Sequence, residues 1–156
     1  NCLFCPLSGS CRALSEGKVQ QLPVKQHRTK TTNRYFNYIY VRMGAHTLIH
    51  KRTEDDIWKN LFELPLVETE KDLSEEEFLA CPQFHALFAE GEVRMVRTLL
   101  RGVKHVLSHR VIYTNFYEVT LPDNSSSFSS YQRVAVEDLG RYAVPRLIHA
   151  FLEKYV

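Results

Sequence analysis

The pattern of apolar and polar positions changes abruptly about a fifth of the way along the chain. From Cys11 to Thr32 the sequence is polar and basic, with Lys18, Lys25, His27, Arg28 and Lys30 and almost no apolar periodicity, so it reads as a connecting segment. From Tyr35 the texture reverses. Tyr35-Phe36-Asn37-Tyr38-Ile39-Tyr40-Val41-Arg42-Met43 is dense in aromatic and β-branched residues, Gly44 interrupts it, and Thr47-Leu48-Ile49-His50-Lys51 resumes, which predicts a strand, a turn and a second strand. Trp58 to Val67 predicts a further short extended piece, broken at Pro65. Ser74-Glu75-Glu76-Glu77 has the residue types of a capping box, in which a serine hydroxyl and a glutamate carboxylate satisfy each other's backbone amides, and predicts a helix running into Phe78 and Leu79.

Val93 to Leu121 alternates over long spans, through Val93 and Met95, then Val111 and Tyr113, then Val119 and Leu121. This predicts two or more strands on either side of the punctuation Leu107-Ser108-His109. The serine-rich stretch from Pro122 to Ser130 reads as a loop, and Tyr131 to Val136 as a last strand. Leu147, Ile148, Phe151, Leu152 and Tyr155 recur at helical spacing behind Pro145, a good first-turn residue, and predict a closing amphipathic helix. Strands with interspersed helices and no internal repeat define an α+β class with a mixed or antiparallel sheet.

Composition narrows the function classes. The 156 residues, 44% of them hydrophobic, suffice for one domain of ordinary size and a short tail. No apolar run is long enough to cross a bilayer, so no membrane partner is expected. A net charge of +2 offers little whole-molecule attraction to a polyanion, and any contact with DNA must come from local clusters or a further domain. Four cysteines, three of them clustered, do not resemble a secreted disulfide framework and point to a reducing, cytoplasmic compartment.

The clustered thiols are Cys2, Cys5 and Cys11, in a C-x2-C-x5-C run. A closed tetrahedral zinc or a cubane iron–sulfur cluster needs four ligands, Cys81 stands in a differently patterned stretch, and His27 has the spacing of no common zinc module, so the fourth ligand is expected upstream of Asn1. Cys81, before Pro82, is read as a structural thiol. Residues 1–11, Asn-Cys-Leu-Phe-Cys-Pro-Leu-Ser-Gly-Ser-Cys, resemble the end of the C-x6-C-x2-C-x5-C loop that binds [4Fe-4S] in MutY-family adenine DNA glycosylases. That family removes adenine mispaired with 8-oxoguanine, and beyond the cluster loop its chains continue through a linker into a Nudix-like C-terminal domain. The resemblance extends over the whole chain. It implies a cluster-loop remnant at 1–16, a linker at 17–33 and a Nudix-like 8-oxoguanine recognition domain at 34–156. It further implies a bacterial protein, monomeric, acting on duplex DNA with an 8-oxoguanine:adenine mispair beside an N-terminal catalytic domain in cis. Cys2, Cys5 and Cys11 would be [4Fe-4S] ligands in the full-length parent, with no cluster held by these residues alone.

The same resemblance assigns Leu107-Ser108-His109 to a loop of Phe-Ser-His character that contacts the 8-oxoguanine. The residue types suit that role, since an apolar side chain can wedge into a base step, and a hydroxyl can accept from the N7 hydrogen that distinguishes 8-oxoguanine from guanine. The histidine can position a phosphate or brace the loop. Leu107 stands where the family usually has phenylalanine, which weakens stacking and leaves the serine role untouched. On residue types alone, an ordinary turn between strands is the favoured reading of Ser108 and His109, and the resemblance reverses that preference. Arg94, Arg97, Arg101, Lys104, His105 and Arg110 crowd the same span, and of these Lys104, His105 and Arg110 are expected to face phosphate; a solvated sheet face is the plainer reading of the run.

The same fold also serves Nudix hydrolases of nucleoside di- and triphosphates, whose box G-x5-E-x7-R-E-U-x-E-E-x-G-U holds divalent metal with glutamates on one helix. Here Leu66-Val67-Glu68-Thr69-Glu70 lacks the glycines, and Glu75, Glu76 and Glu77 are consecutive, so they diverge around a helix. Pyrophosphate hydrolysis is therefore not expected. Nor is glycosidic bond cleavage: by the resemblance, its acid and carboxylate belong to the N-terminal domain, and this part of the chain is expected to be catalytically silent.

Overall fold

A computed structural model describes residues 2–22, 24 and 31–156. The chain divides into two compact units, Asn1–Lys30 and Thr31–Val156. The linker cluster Lys25, His27, Arg28 and Lys30 lies outside the described residues.

The first unit is a succession of short turns: 3-10 turns at Cys2–Phe4 and Ser8–Ser10, then a single helical turn, α1, at Arg12–Ser15. Each is closed by local backbone bonds such as Ser8 N–H to the Cys5 carbonyl at 3.0 Å. No side chain in these elements is buried. The second unit carries the core.

In the second unit, strands β1 (Thr32–Arg42), β4 (Leu66–Thr69), β5 (Met95–Val106) and β6 (Arg110–Thr120) form a mixed sheet in the order β4-β1-β6-β5. The two central strands, β1 and β6, are parallel, and the outer pairings are antiparallel. Both central strands read as nearly continuous buried runs because both of their faces are covered. A second, antiparallel sheet, β3-β2-β7, combines Phe62–Glu63, His46–Lys51 and Gln132–Ala135. β1 starts at Thr32, so the last two positions expected in the linker belong to the sheet.

Strand alternation builds two cores. Even-numbered residues Phe36, Tyr38, Tyr40, Ile112 and Phe116 pack with Leu147, Ile148 and Phe151 of the closing helix α4 (Arg146–Tyr155). Odd-numbered residues Ile39, Val41, Tyr117 and Val119 pack with Phe78 of α2 (Glu75–Leu79) and Phe84 of α3 (Pro82–His85). Phe151 stacks on Phe116 with ring centres 4.1 Å apart, and Phe78 on Tyr117 at 4.4 Å.

The expected capping box forms in full: Glu77 N–H donates to Ser74 Oγ at 3.1 Å, and Ser74 N–H donates to Glu77 Oε2 at 2.8 Å. The extended piece around Pro65 is resolved differently from the pattern. Trp58 and Asn60 adopt positive φ in a tight turn, and only Phe62–Glu63 and Leu66–Thr69 are strands. Pro65 lies where the chain passes from one sheet to the other, with its carbonyl accepting from Ile39 N–H at 2.8 Å. α3 and a 3-10 segment at Val136–Arg141 have no strong periodicity and escape sequence reading.

The serine-rich loop is held by one carboxylate. Glu92 accepts from the hydroxyls of Ser125, Ser126 and Ser127 and from the amides of Ser126 and Ser127. The hydroxyls of Ser125 and Ser127, followed by the Ser126 amide, draw its pKa from 4.5 down to about 2. A carboxylate with a depressed folded-state pKa stabilises the fold above its unfolded value and loses that contribution as pH falls through the folded one. Glu92→Gln is therefore expected to lower the urea midpoint at neutral pH, with the difference from the parent shrinking as pH falls from 4.5 towards about 2. A pH-independent difference would show that the clasp does not depend on the charge.

Candidate nucleic-acid interface

The span Leu107-Ser108-His109 forms the tip of the β5–β6 hairpin. Pairing runs up to Val106 opposite Val111, and Leu107 N–H donates to the Arg110 carbonyl at 2.8 Å, leaving Ser108 and His109 as a two-residue turn. The His109 carbonyl accepts from Thr32 N–H at 3.2 Å, which ties the turn to the first residue of β1. Ser108 and His109 are exposed. Leu107 is half-buried and packs against the α4-side core. In this conformation it contributes to the floor of a shallow cleft of about 380 Å³, lined by Ile57, Leu107, Ser108, His109 and Arg110, and is not a fully exposed wedge.

The three expected basic residues divide in role. Lys104 is exposed and enters no ion pair among the described residues, its Nζ lying 6.0 Å from the centre of the Tyr113 ring. His105 is half-buried beside Trp58, with ring centres 5.9 Å apart. Arg110 is ion-paired with Asp56. Asp56 also receives Arg34 at 2.6 Å and Arg52 at 3.1 Å. Burial pushes the Asp56 carboxyl pKa up, but hydrogen bonds from Arg34 and Arg110 outweigh it and hold the group well below the usual carboxylate range.

Arg34 continues to Glu68 at 2.6 Å, and Arg52 grips Glu63 through bonds of 2.8 and 2.9 Å. Three guanidinium groups thus meet three carboxylates, a locally neutral frame beneath the tip. Its work is positional: Asp56 pins the β2–β3 turn, with Ile57 and Trp58, against the hairpin base. Asp56, Ile57 and Trp58 were not among the expected site residues. Arg110 and Asp56 are 54 positions apart, and no local spacing could have announced the pair.

Glu75, Glu76 and Glu77 are exposed at the start of a five-residue helix. Glu77 is committed to the cap and to Lys71 at 3.3 Å. In the first unit Cys2 and Cys11 are partly exposed and Cys5 is exposed, all as free thiols. Among the described residues, no group of three or more histidine, cysteine or acidic side chains is arranged to hold a metal ion. Three thiols are also one short of the four that a cubane cluster or a closed zinc site takes, so these residues do not fit such a group by themselves.

The hairpin frame, the β2–β3 turn and the helices on both sheet faces correspond to a known pattern: the NUDIX domain family matches residues 37–154. The chain belongs to the Nudix domain family. An adenine DNA glycosylase from Buchnera aphidicola is 24% identical over 99% of the chain, and this Nudix chain spans 42% of that relative's length. The C-terminal domain of mouse MUTYH, solved in complex with human PCNA, superposes with a TM-score of 0.62 at 14% identity, covering 78% of this chain and 86% of that one. A MutT structure from work on Aliivibrio salmonicida and Vibrio cholerae gives a TM-score of 0.55 at 16% identity, over 78% of this chain and 95% of that one. The fold is therefore shared with the C-terminal domain of mouse MUTYH and with MutT. No described helix of this Nudix domain is long and apolar enough to cross a membrane.

Proposed function

We propose that this Nudix domain is the opposite-base recognition domain of an adenine DNA glycosylase in base excision repair, and that its hairpin tip reads 8-oxoguanine across from the adenine to be excised. The observation that carries this reading is the exposed Ser108-His109 turn, fixed by backbone bonds on both sides and set beside an apolar cleft. A turn so held presents its hydroxyl with little entropy left to lose on binding. The Ser108 hydroxyl accepts from the N7 hydrogen of the oxidised base, Ile57 and Leu107 give the base edge an apolar surface, and His109 braces the adjoining backbone. Lys104 supplies the unpaired charge for phosphate, whereas Arg110 acts mainly through Asp56 to hold the tip. The remainder of the parent protein would provide the catalytic domain and the fourth thiolate that, with Cys2, Cys5 and Cys11, completes a [4Fe-4S] cluster.

The hydrolase alternative has less support from the geometry, since Glu77 is occupied in the cap and the glutamates of α2 form a short exposed turn. Magnesium-dependent release of monophosphate from 8-oxo-dGTP by the chain would nevertheless restore it.

In the full-length protein, Ser108→Ala is expected to reduce the preference for 8-oxoguanine over guanine opposite adenine by about 1–3 kcal/mol, the scale of one lost base contact. Single-turnover excision from the two duplexes measures this directly. An unchanged preference would remove Ser108 from the interface.

A further inference from the structure

A cavity of about 650 Å³ lies towards the far end of the sheet from the hairpin tip. Glu118 lies eight positions beyond Arg110 along β6, a span of roughly 26 Å at the rise of an extended chain. The cavity opens on the α4 side of the sheet, the side of Tyr40 and Phe151, whereas the α2 glutamates belong to the opposite side. It is thus separate from both the tip and the degenerate Nudix helix.

Its chemistry centres on Glu118, only 4% exposed near the C-terminal end of β6. Arg97 Nη2 donates to Glu118 Oε2 at 2.8 Å, and Arg42 Nη1 lies 3.7 Å from Oε1. Both arginines remain more than half exposed and line the cavity. One buried carboxylate therefore orients two guanidinium groups while using only a fraction of their donors. Each guanidinium has five N–H donors in a planar fork that matches phosphate geometry. Among the described residues Oε1 has no hydrogen-bond partner of its own, so Glu118 is committed to holding the pair in place without being saturated by it.

Tyr40, Tyr155 and Val136 supply aromatic and apolar wall, and His46 and Glu137 lie among the polar lining. A ligand complementary to this arrangement carries an anion for the arginines, a planar body for the tyrosines and hydrogen-bond donors for Glu137. Inorganic phosphate is too small to use the walls, and the volume lies within the roughly 300–1,000 Å³ of ordinary small-molecule sites.

We infer that this cavity is a non-catalytic binding site for a small organic phosphate with a planar ring, of mononucleotide size, whose phosphate is held by Arg42 and Arg97. The site is independent of the proposed DNA contact, and failure of either leaves the other standing.

The test is a titration of the full chain with deoxyadenosine 5′-monophosphate, inorganic phosphate and deoxyadenosine, followed by calorimetry and by the phosphorus resonance of the ligand. The monophosphate is expected to bind about tenfold or more tightly than either half alone. Arg97→Gln should abolish that advantage. Arg42→Gln, which leaves the Arg97–Glu118 pair intact, should weaken binding by about tenfold without loss of fold, while Lys59→Gln on a separate exposed turn should leave it unchanged. Equal affinity for the monophosphate and the nucleoside, or affinity indifferent to a folded Arg42→Gln variant, would overturn the inference.

Discussion

Glu63→Ala is expected to destabilise the domain by about 3–5 kcal/mol, the cost of leaving a buried charge without its partner. Glu63 is 2% exposed and Arg52 is 8% exposed, so neither can be rehydrated in place. The substitution removes both bonds from Arg52 Nη1 and the bond from the Tyr38 hydroxyl at 3.0 Å. Burial, reinforced by the Glu63 charge, pushes the Tyr38 pKa well up, so its hydroxyl keeps its proton and becomes an unsatisfied buried donor. Arg52 would retain Asp56 and the Ile57 carbonyl at 3.0 Å, which pulls on the same turn that supports the hairpin tip. Urea unfolding with an unchanged slope and a lowered midpoint is the expected record. Glu63→Gln keeps the shape and part of the hydrogen bonding and should lose less. Equal stability of Glu63→Ala and the parent would show that the frame beneath the tip is not held by this pair.

Phe151→Ala is the second large effect, again about 3–5 kcal/mol, because it combines lost burial with a cavity that stiff neighbours cannot fill. Phe151 is 2% exposed and stacks almost parallel to Phe116 at 4.1 Å, with Tyr155 at 5.3 Å and Tyr40 at 6.3 Å. It joins α4 to the central strand, and truncation should loosen the helix before the sheet. Faster amide hydrogen exchange in residues 146–155 than in β1 and β6 is the signature to seek. Uniform loss of protection throughout would mean that α4 and the sheet open as one unit.

Much of the architecture was legible because it is written in short-range patterns. The aromatic and β-branched run at Tyr35–Met43, the capping box at Ser74 and the helical spacing after Pro145 each reflect a local energetic preference, and each produced the expected element. The serine-rich stretch was recognisable as a loop, but its clasp was not, since Glu92 reaches it from more than thirty positions away. The exposure of Ser108 and His109 agrees with a turn between strands, the minimum that their residue types required. What Leu107 does was not legible: the same side chain can project from a tip or lie against a neighbour, and Ile57, brought in by the β2–β3 turn, settles which surface it meets.

By itself, the sequence determined the secondary structure of the long, strongly patterned segments, the α+β class and the position of the Leu107-Ser108-His109 turn, because backbone propensity and side-chain periodicity act over a few residues. The tertiary structure alone decided that β1 and β6 run parallel, that Pro65 marks a change of sheet, that Asp56 gathers Arg34, Arg52 and Arg110, and that Glu118 sets two arginines around a cavity. These depend on which distant side chains share one desolvated volume, where a charge must find its partner or remain in water. No local pattern encodes that choice; it emerges only when the strands have paired and both faces of the sheet are covered.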